Sequence, residues 1–126
     1  KYWIQNFNED QYIPLESESI DYCLMIAGWQ YLQYPENISM EISRILKNSG
    51  KYIIAFSNRA FWNKAPNIWT YSDENQRVDY VRSILISNGF KEPRIIKKFV
   101  SKNLNILPFL NFDPFYCLIA QKKDKN

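Results

Sequence analysis

Two short stretches hold the residues best suited to chemistry: Met25 to Tyr31, MIAGWQY, and Ser57 to Lys64, SNRAFWNK. Ser57, Asn58 and Arg59 offer a hydroxyl, an amide and a guanidinium in succession. Together they suit contact with a polar substrate, and Arg59 suits a carboxylate or phosphate in particular. Trp29, Gln30 and Tyr31 combine flat apolar surface with hydrogen-bonding groups able to orient a substrate. Phe61, Trp62 and Trp69 would wall an apolar pocket or, more simply, cover a sheet. Histidine is absent. That excludes a histidine base, a histidine-activated nucleophile and a histidine metal ligand. The two cysteines, Cys23 and Cys117, cannot build a zinc site of the usual kind, and no metal is expected.

Both stretches follow apolar runs. Ile20–Ala27 is nearly unbroken, and Lys51–Ser57 is rich in β-formers. Between them, Pro35–Lys47 carries Ile38, Ile42, Ile45 and Leu46 at helical spacing, with Pro35 suited to the first helical position. Asn48-Ser49-Gly50 is expected to stop that helix, with Gly50 taking a positive φ. Strand, helix and strand make a βαβ unit with parallel strands. Open α/β sheets place ligands beyond the carboxyl ends of such strands, which is where both stretches fall.

The rest of the chain is arranged around that unit. Lys1–Asn8 reads as a short strand entering a polar loop. After Asn58–Tyr71, an irregular aromatic segment with a short helix broken at Pro66, Ser72 or Asp73 caps a longer helix. Val78, Val81, Ile84 and Leu85 form its buried stripe, and Asn88-Gly89 closes it. Phe90–Phe99, with its basic cluster, is expected near a sheet edge. Phe115–Gln121 is expected to be a buried last strand, antiparallel to it.

The 126 residues suffice for one domain with a core, and no apolar run approaches the roughly 20 residues that span a bilayer. Each cysteine lies in a strand-like run, which fits reduced thiols in a cytoplasmic protein. A net charge of +3 is too mild to indicate nucleic acid.

The run from Ile13 to Trp62 resembles the second half of a class I S-adenosylmethionine-dependent methyltransferase of the broad type-11 group. Pro14-Leu15, Ile20-Asp21 and Arg44-Ile45-Leu46-Lys47-Asn48-Ser49-Gly50 stand where that family writes LPF, FD and RxLKPGG. Ser57 to Trp69 resembles a narrower subgroup known from photosynthetic organisms. The resemblance implies an α/β, Rossmann-like half-domain spanning residues 1–126. Its sheet would be mostly parallel, flanked by helices, with an antiparallel strand at the end. The family's strands three to seven would be present, without the glycine-rich loop and the ribose-binding acid. No Gly-x-Gly occurs.

The implied cofactor is S-adenosyl-L-methionine, lined by Asn6, Phe7, Met25, Ile26, Ala27 and Gly28. Trp29, Gln30, Tyr31, Ser57, Asn58 and Arg59 would face an unidentified small-molecule acceptor. Methyl transfer from a sulfonium needs proximity and alignment, and neither histidine nor metal. Lys1–Phe7 would lack strand partners, and Ile20–Ala27 would expose an apolar edge able to pair with another chain. The chain is therefore expected to be a fragment, inactive alone, that associates or belongs to a longer protein. A truncated, non-catalytic module that self-associates or binds a partner through that edge is the alternative. A dinucleotide-dependent oxidoreductase and a nucleic-acid binder rank lower.

Overall fold

A computed structural model describes residues 2–57, 63–99 and 114–124. Its elements, in chain order, are β1 (Ile20–Ile26), a 3-10 turn (Trp29–Tyr31), α1 (Pro35–Ile45) and β2 (Leu46–Ser57). Then come α2 (Asn67–Thr70), α3 (Glu74–Ser87), β3 (Arg94–Phe99) and β4 (Pro114–Gln121). The strands form one sheet in the order β1-β2-β4-β3.

β1 and β2 are parallel, joined through α1 as the apolar pattern requires. The other two pairings, β2 with β4 and β3 with β4, are antiparallel. The sheet is thus mixed, not mostly parallel: only one crossover helix joins neighbouring strands, and β4 enters from the opposite direction. β3 lies at one edge, as its basic residues led one to expect, and β4 is interior.

The core lies on one face of the sheet. Tyr52, Ile54 and Phe56 of β2, with Tyr116, Leu118 and Ala120 of β4, meet Ile38, Ile42 and Ile45 of α1 and Val78, Val81 and Leu85 of α3. Both helical stripes are buried as the spacing predicts. Asp73 caps α3: its carboxylate accepts the Gln76 N–H at 2.9 Å, and the Gln76 side chain accepts the Asp73 N–H at 2.8 Å. Gly89, with φ +98°, takes the left-handed position after α3. Along β1, Tyr22, Leu24 and Ile26 alternate away from the core and are 60–63% exposed.

Three further expectations fail, each for a physical reason. Residues 2–8 form no strand: they run as coil into a turn in which the Asn6 carbonyl accepts the N–H groups of Glu9 and Asp10. A strand needs a neighbour for its backbone groups, and none is available to this segment among the described residues. Next, α1 stops at Ile45. Leu46 is already extended and buried, so β2 begins at once and residues 47–50 form an irregularity in its pairing with β1. Finally, the positive φ falls on Ser49 (+63°), not on Gly50. Glycine is required at 50 because a Cβ there would sit 2.8 Å from the Lys47 carbonyl oxygen and 3.2 Å from that of Asp21.

Candidate functional site at the carboxyl end of the parallel strands

β1 ends in a sharp reversal. Ala27 adopts φ +55°, a left-handed conformation unfavourable for a residue with a Cβ, while its N–H donates to the Ala55 carbonyl at 2.8 Å. The reversal directs Gly28 into the 3-10 turn, whose Tyr31 N–H donates back to the Gly28 carbonyl at 3.1 Å. Gly28 itself is not demanded by space, since a Cβ there would meet Met25 Cγ at an ordinary 3.5 Å.

The turn holds three of the six residues assigned to the acceptor side and buries two of them. Trp29 is 1% exposed, its ring 6.0 Å from Trp69 and edge-on to Tyr80 at 5.6 Å. Trp69 in turn stands edge-on to Phe56 at 5.0 Å. The Arg77 guanidinium lies over Trp69, 5.4 Å from the ring centre, and Arg77 Nε donates to the Trp69 carbonyl at 3.0 Å. Burial, and secondarily the charge of Glu36, pushes the Tyr80 phenol upward. Gln30 is 3% exposed. Four buried polar atoms here have no hydrogen-bond partner among the described residues: Trp29 Nε1, Gln30 Oε1, Trp69 Nε1 and Thr70 Oγ1. Buried polar atoms are normally paired, so their concentration in two neighbouring residue pairs is unusual.

Asn6 and Phe7 are carried to this end of the sheet by Asn8, a loop residue that no motif singles out. Asn8 Nδ2 donates to the Tyr31 carbonyl at 3.1 Å, and its Oδ1 accepts the Gln33 N–H at 2.9 Å. Asn6 is exposed, its Oδ1 accepting the Asn8 N–H at 3.1 Å. Phe7 and Met25 share an apolar cavity of about 330 Å³ with Trp3, Cys23, Ile38 and Ile42. Met25 also accepts a hydrogen bond at sulfur from the Tyr52 hydroxyl, at 3.4 Å. Burial pushes the Cys23 thiol up to about 11. Ile26 and Ala27 are exposed, with Ile26 pointing to the opposite face from Met25. Tyr31 is half-buried, and Ser57 ends β2 in register with Phe115. Asn58, Arg59, Phe61 and Trp62 lie outside the described residues.

The loop before β1 is fastened to α1 by Arg44. Its guanidinium donates to the carbonyls of Ile13 at 2.8 Å and Leu15 at 2.9 Å, and pairs with Glu41. Glu41 also accepts the Ile13 N–H at 3.2 Å. No cluster of three or more cysteine, aspartate and glutamate side chains among the described residues could hold a metal ion. No helix among them is long and apolar enough to cross a membrane.

The fold is similar to that of S-adenosylmethionine-dependent methyltransferases of known structure. A methyltransferase from Thermotoga maritima superposes with TM-score 0.63 at 20% identity, over 90% of this chain and 61% of its own. One from Aquifex aeolicus gives TM-score 0.63 at 19% identity, over 97% and 54%. The [4+2]-cyclase SpnF gives 0.62 at 12% identity, over 91% and 55%. The chain thus spans less than two thirds of these proteins. At the level of sequence, residues 4–54 match the methyltransferase domain family, a stretch that takes in the Asn6–Phe7 turn, β1, α1 and most of β2. No curated protein matches in sequence.

Proposed function

We propose that this chain is the carboxyl-terminal part of an S-adenosylmethionine-dependent methyltransferase acting on a small molecule in the cytoplasm. The observation that carries the reading is the sharp turn at Ala27, at the carboxyl end of the parallel pair and inside the segment that matches the methyltransferase domain family. The fold alone would not suffice, since a cyclase shares it.

In this reading Asn6 and Phe7, with Met25, Ile26, Ala27 and Gly28, form one wall of the cofactor site. When bound, S-adenosyl-L-methionine supplies an activated methyl group. The protein's part is to hold the acceptor in line and exclude water. Trp29, Gln30, Tyr31, Ser57, Asn58 and Arg59 stand on the acceptor side. Trp29 acts through packing, as a floor beneath the turn. Gln30, with an unpaired buried carbonyl, is the group best placed to accept a hydrogen bond from the acceptor. The 126 residues alone bind the cofactor weakly and turn over nothing, because they lack a glycine-rich loop.

Equilibrium dialysis with radiolabelled S-adenosylmethionine tests the reading. The natural gene product should bind, and the 126-residue chain should bind at least tenfold more weakly. Failure of the natural product to bind would overturn the assignment. Equal binding by the shorter chain would overturn the claim that it is incomplete.

A second reading has its own support. The exposed apolar side chains of β1 favour a non-catalytic role in which the chain associates with another through that edge.

A further inference from the structure

Arg77 is the most buried arginine among the described residues, at 8% exposed. No carboxylate among those residues lies within ion-pair distance of it. Arg44 and Arg82, both more exposed, each pair with a glutamate. The acids one turn before Arg77 on α3 are already committed. Asp73 accepts the Gln76 N–H, and Glu74 accepts hydrogen bonds from Lys97 and from the Tyr116 hydroxyl. A charge withdrawn from water is normally paired, so a covered guanidinium without a counter-charge is an anomaly. Of its five N–H donors, the one on Nε goes to the Trp69 carbonyl. The four on the terminal nitrogens remain, and they form the fork that matches an oxyanion with two parallel hydrogen bonds.

The surroundings have the same bias. The guanidinium lies over the Trp69 ring, which adjoins Trp29. The indole N–H groups of both tryptophans and the Thr70 hydroxyl are buried and unpaired. An indole N–H can only donate, and a hydroxyl can donate. A cation and three unused donors thus belong to one aromatic cluster, in which Gln30 Oε1 is the unpaired acceptor. Phe56, edge-on to Trp69, sets the cluster at the carboxyl end of β2, beside the turn that follows β1. All these donors come from the 3-10 turn, α2 and α3, so the cluster is built and covered by this chain's own residues.

We infer that Arg77 anchors an oxyanion, the carboxylate or phosphate of the methyl acceptor, with Trp29, Trp69 and Thr70 as further donors. The ligand's role rests on the methyl-transfer reading, while the anion site itself stands on Arg77. The acceptor is then an anionic small molecule, and Gln30 accepts from an N–H or O–H of the same molecule.

Nuclear magnetic resonance of the natural gene product, isotope-labelled at the tryptophan nitrogens, tests the site. Inorganic phosphate and acetate are the probes, at constant ionic strength with chloride as the reference. The indole signals of Trp29 and Trp69, assigned from Trp29→Phe and Trp69→Phe, should move saturably. That of Trp3, whose Nε1 donates to Gln5 on the surface, should not. The tighter of the two probes identifies the acceptor's group. Arg77→Gln should weaken binding roughly tenfold or more with the circular dichroism unchanged, and Arg77→Lys should weaken it less. Should Arg77→Gln not fold, Thr70→Val, which removes only a hydroxyl, carries the test and should weaken binding about threefold. Signals that do not move would overturn the inference, including the case in which an acid elsewhere in the polypeptide already holds Arg77. Binding untouched by Arg77→Gln, or by Thr70→Val in its place, would overturn these residues as the anchor. Loss of the phosphate response on saturation with S-adenosylhomocysteine would give the site to the cofactor and overturn its assignment to the acceptor. A product that binds phosphate but no cofactor would sink the methyl-transfer reading alone.

Discussion

β1 and β3 are the two edges of one sheet, and they are built differently. β3 carries Arg94, Lys97 and Lys98 within six residues and is preceded by Pro93. Lys97 lies over the Tyr116 ring and reaches Glu74 of α3 at 3.3 Å, while the Tyr116 hydroxyl donates to the same carboxylate. That edge has the charge that deters pairing. β1 has apolar side chains more than half exposed and only Asp21 as a charge. What distinguishes the edges is therefore residue type, since both lack an outer partner among the described residues. The two sides also differ in how they are tied down. The β1 side depends on the Arg44 strap over the loop before it, and the β3 side on α3 and its capping box.

Substitutions that act on both borders, then on one, separate these arrangements. Leu118→Ala removes a fully buried side chain from β4, which connects the two halves. It should cost about 3 kcal/mol, seen as a lower urea midpoint with both borders melting together. Arg44→Met should act on the β1 side alone. The side chain is 29% exposed, so the loss should be about 1–2 kcal/mol, with amide exchange rising at residues 13–17 and unchanged in α3.

Glu41 makes the same strap sensitive to acid. The hydrogen bond from Arg44 chiefly, and that from the Ile13 N–H, hold its carboxyl below the ordinary range against the opposing effect of burial. The folded state thus binds that proton less tightly than the unfolded state. The stability it contributes is present above the ordinary value of 4.5 and is lost as pH falls through the lower folded value. Thermal melts should show wild type losing Tm more steeply than Glu41→Gln below pH 4.5.

On the β3 side, Asp73→Ala should cost about 1 kcal/mol and loosen the first turn of α3, leaving residues 13–17 protected. The smallest change in melting should come from Lys97→Ile. Its effect should be on solubility: if charge is what guards this border, turbidity on concentration should rise above that of wild type. No rise would mean that the contrast between the edges has another origin.

Much of the fold was legible because it is written at fixed spacing. Ile38, Ile42 and Ile45 announce α1, and Val78, Val81 and Leu85 announce α3. Asp73 is followed three residues later by Gln76, a capping pair readable from types alone. What escaped depends on neighbours. Whether Tyr2–Asn8 is a strand is decided by the availability of a partner, which no local pattern encodes. Leu46 continues a helical stripe yet belongs to β2, because a buried leucine satisfies either geometry. Gly50 was assigned for its freedom at φ and is needed for its missing Cβ.

The site was legible by topology more than by chemistry. The ends of β1 and β2 could be located from the βαβ pattern. The burial of Trp29 and Gln30 could not, because it follows from the left-handed turn at Ala27, a residue whose type does not advertise it. Asn8, which ties the Asn6 turn to Tyr31 and Gln33, looks in sequence like any loop asparagine.

The strand order has a consequence for how the chain is made. β4 is the last of the described strands in sequence, yet it lies between β2 and β3. On the ribosome, β2 waits with one side unpaired through the synthesis of α3 and β3, and β3 has nothing to join until residues 114–121 emerge. Assembly on that side therefore waits for β4 and depends on contacts distant in sequence, the slow kind. A chain cut before Pro114 would leave β3 with no strand to join and β2 paired on the β1 side alone, a natural client for chaperones.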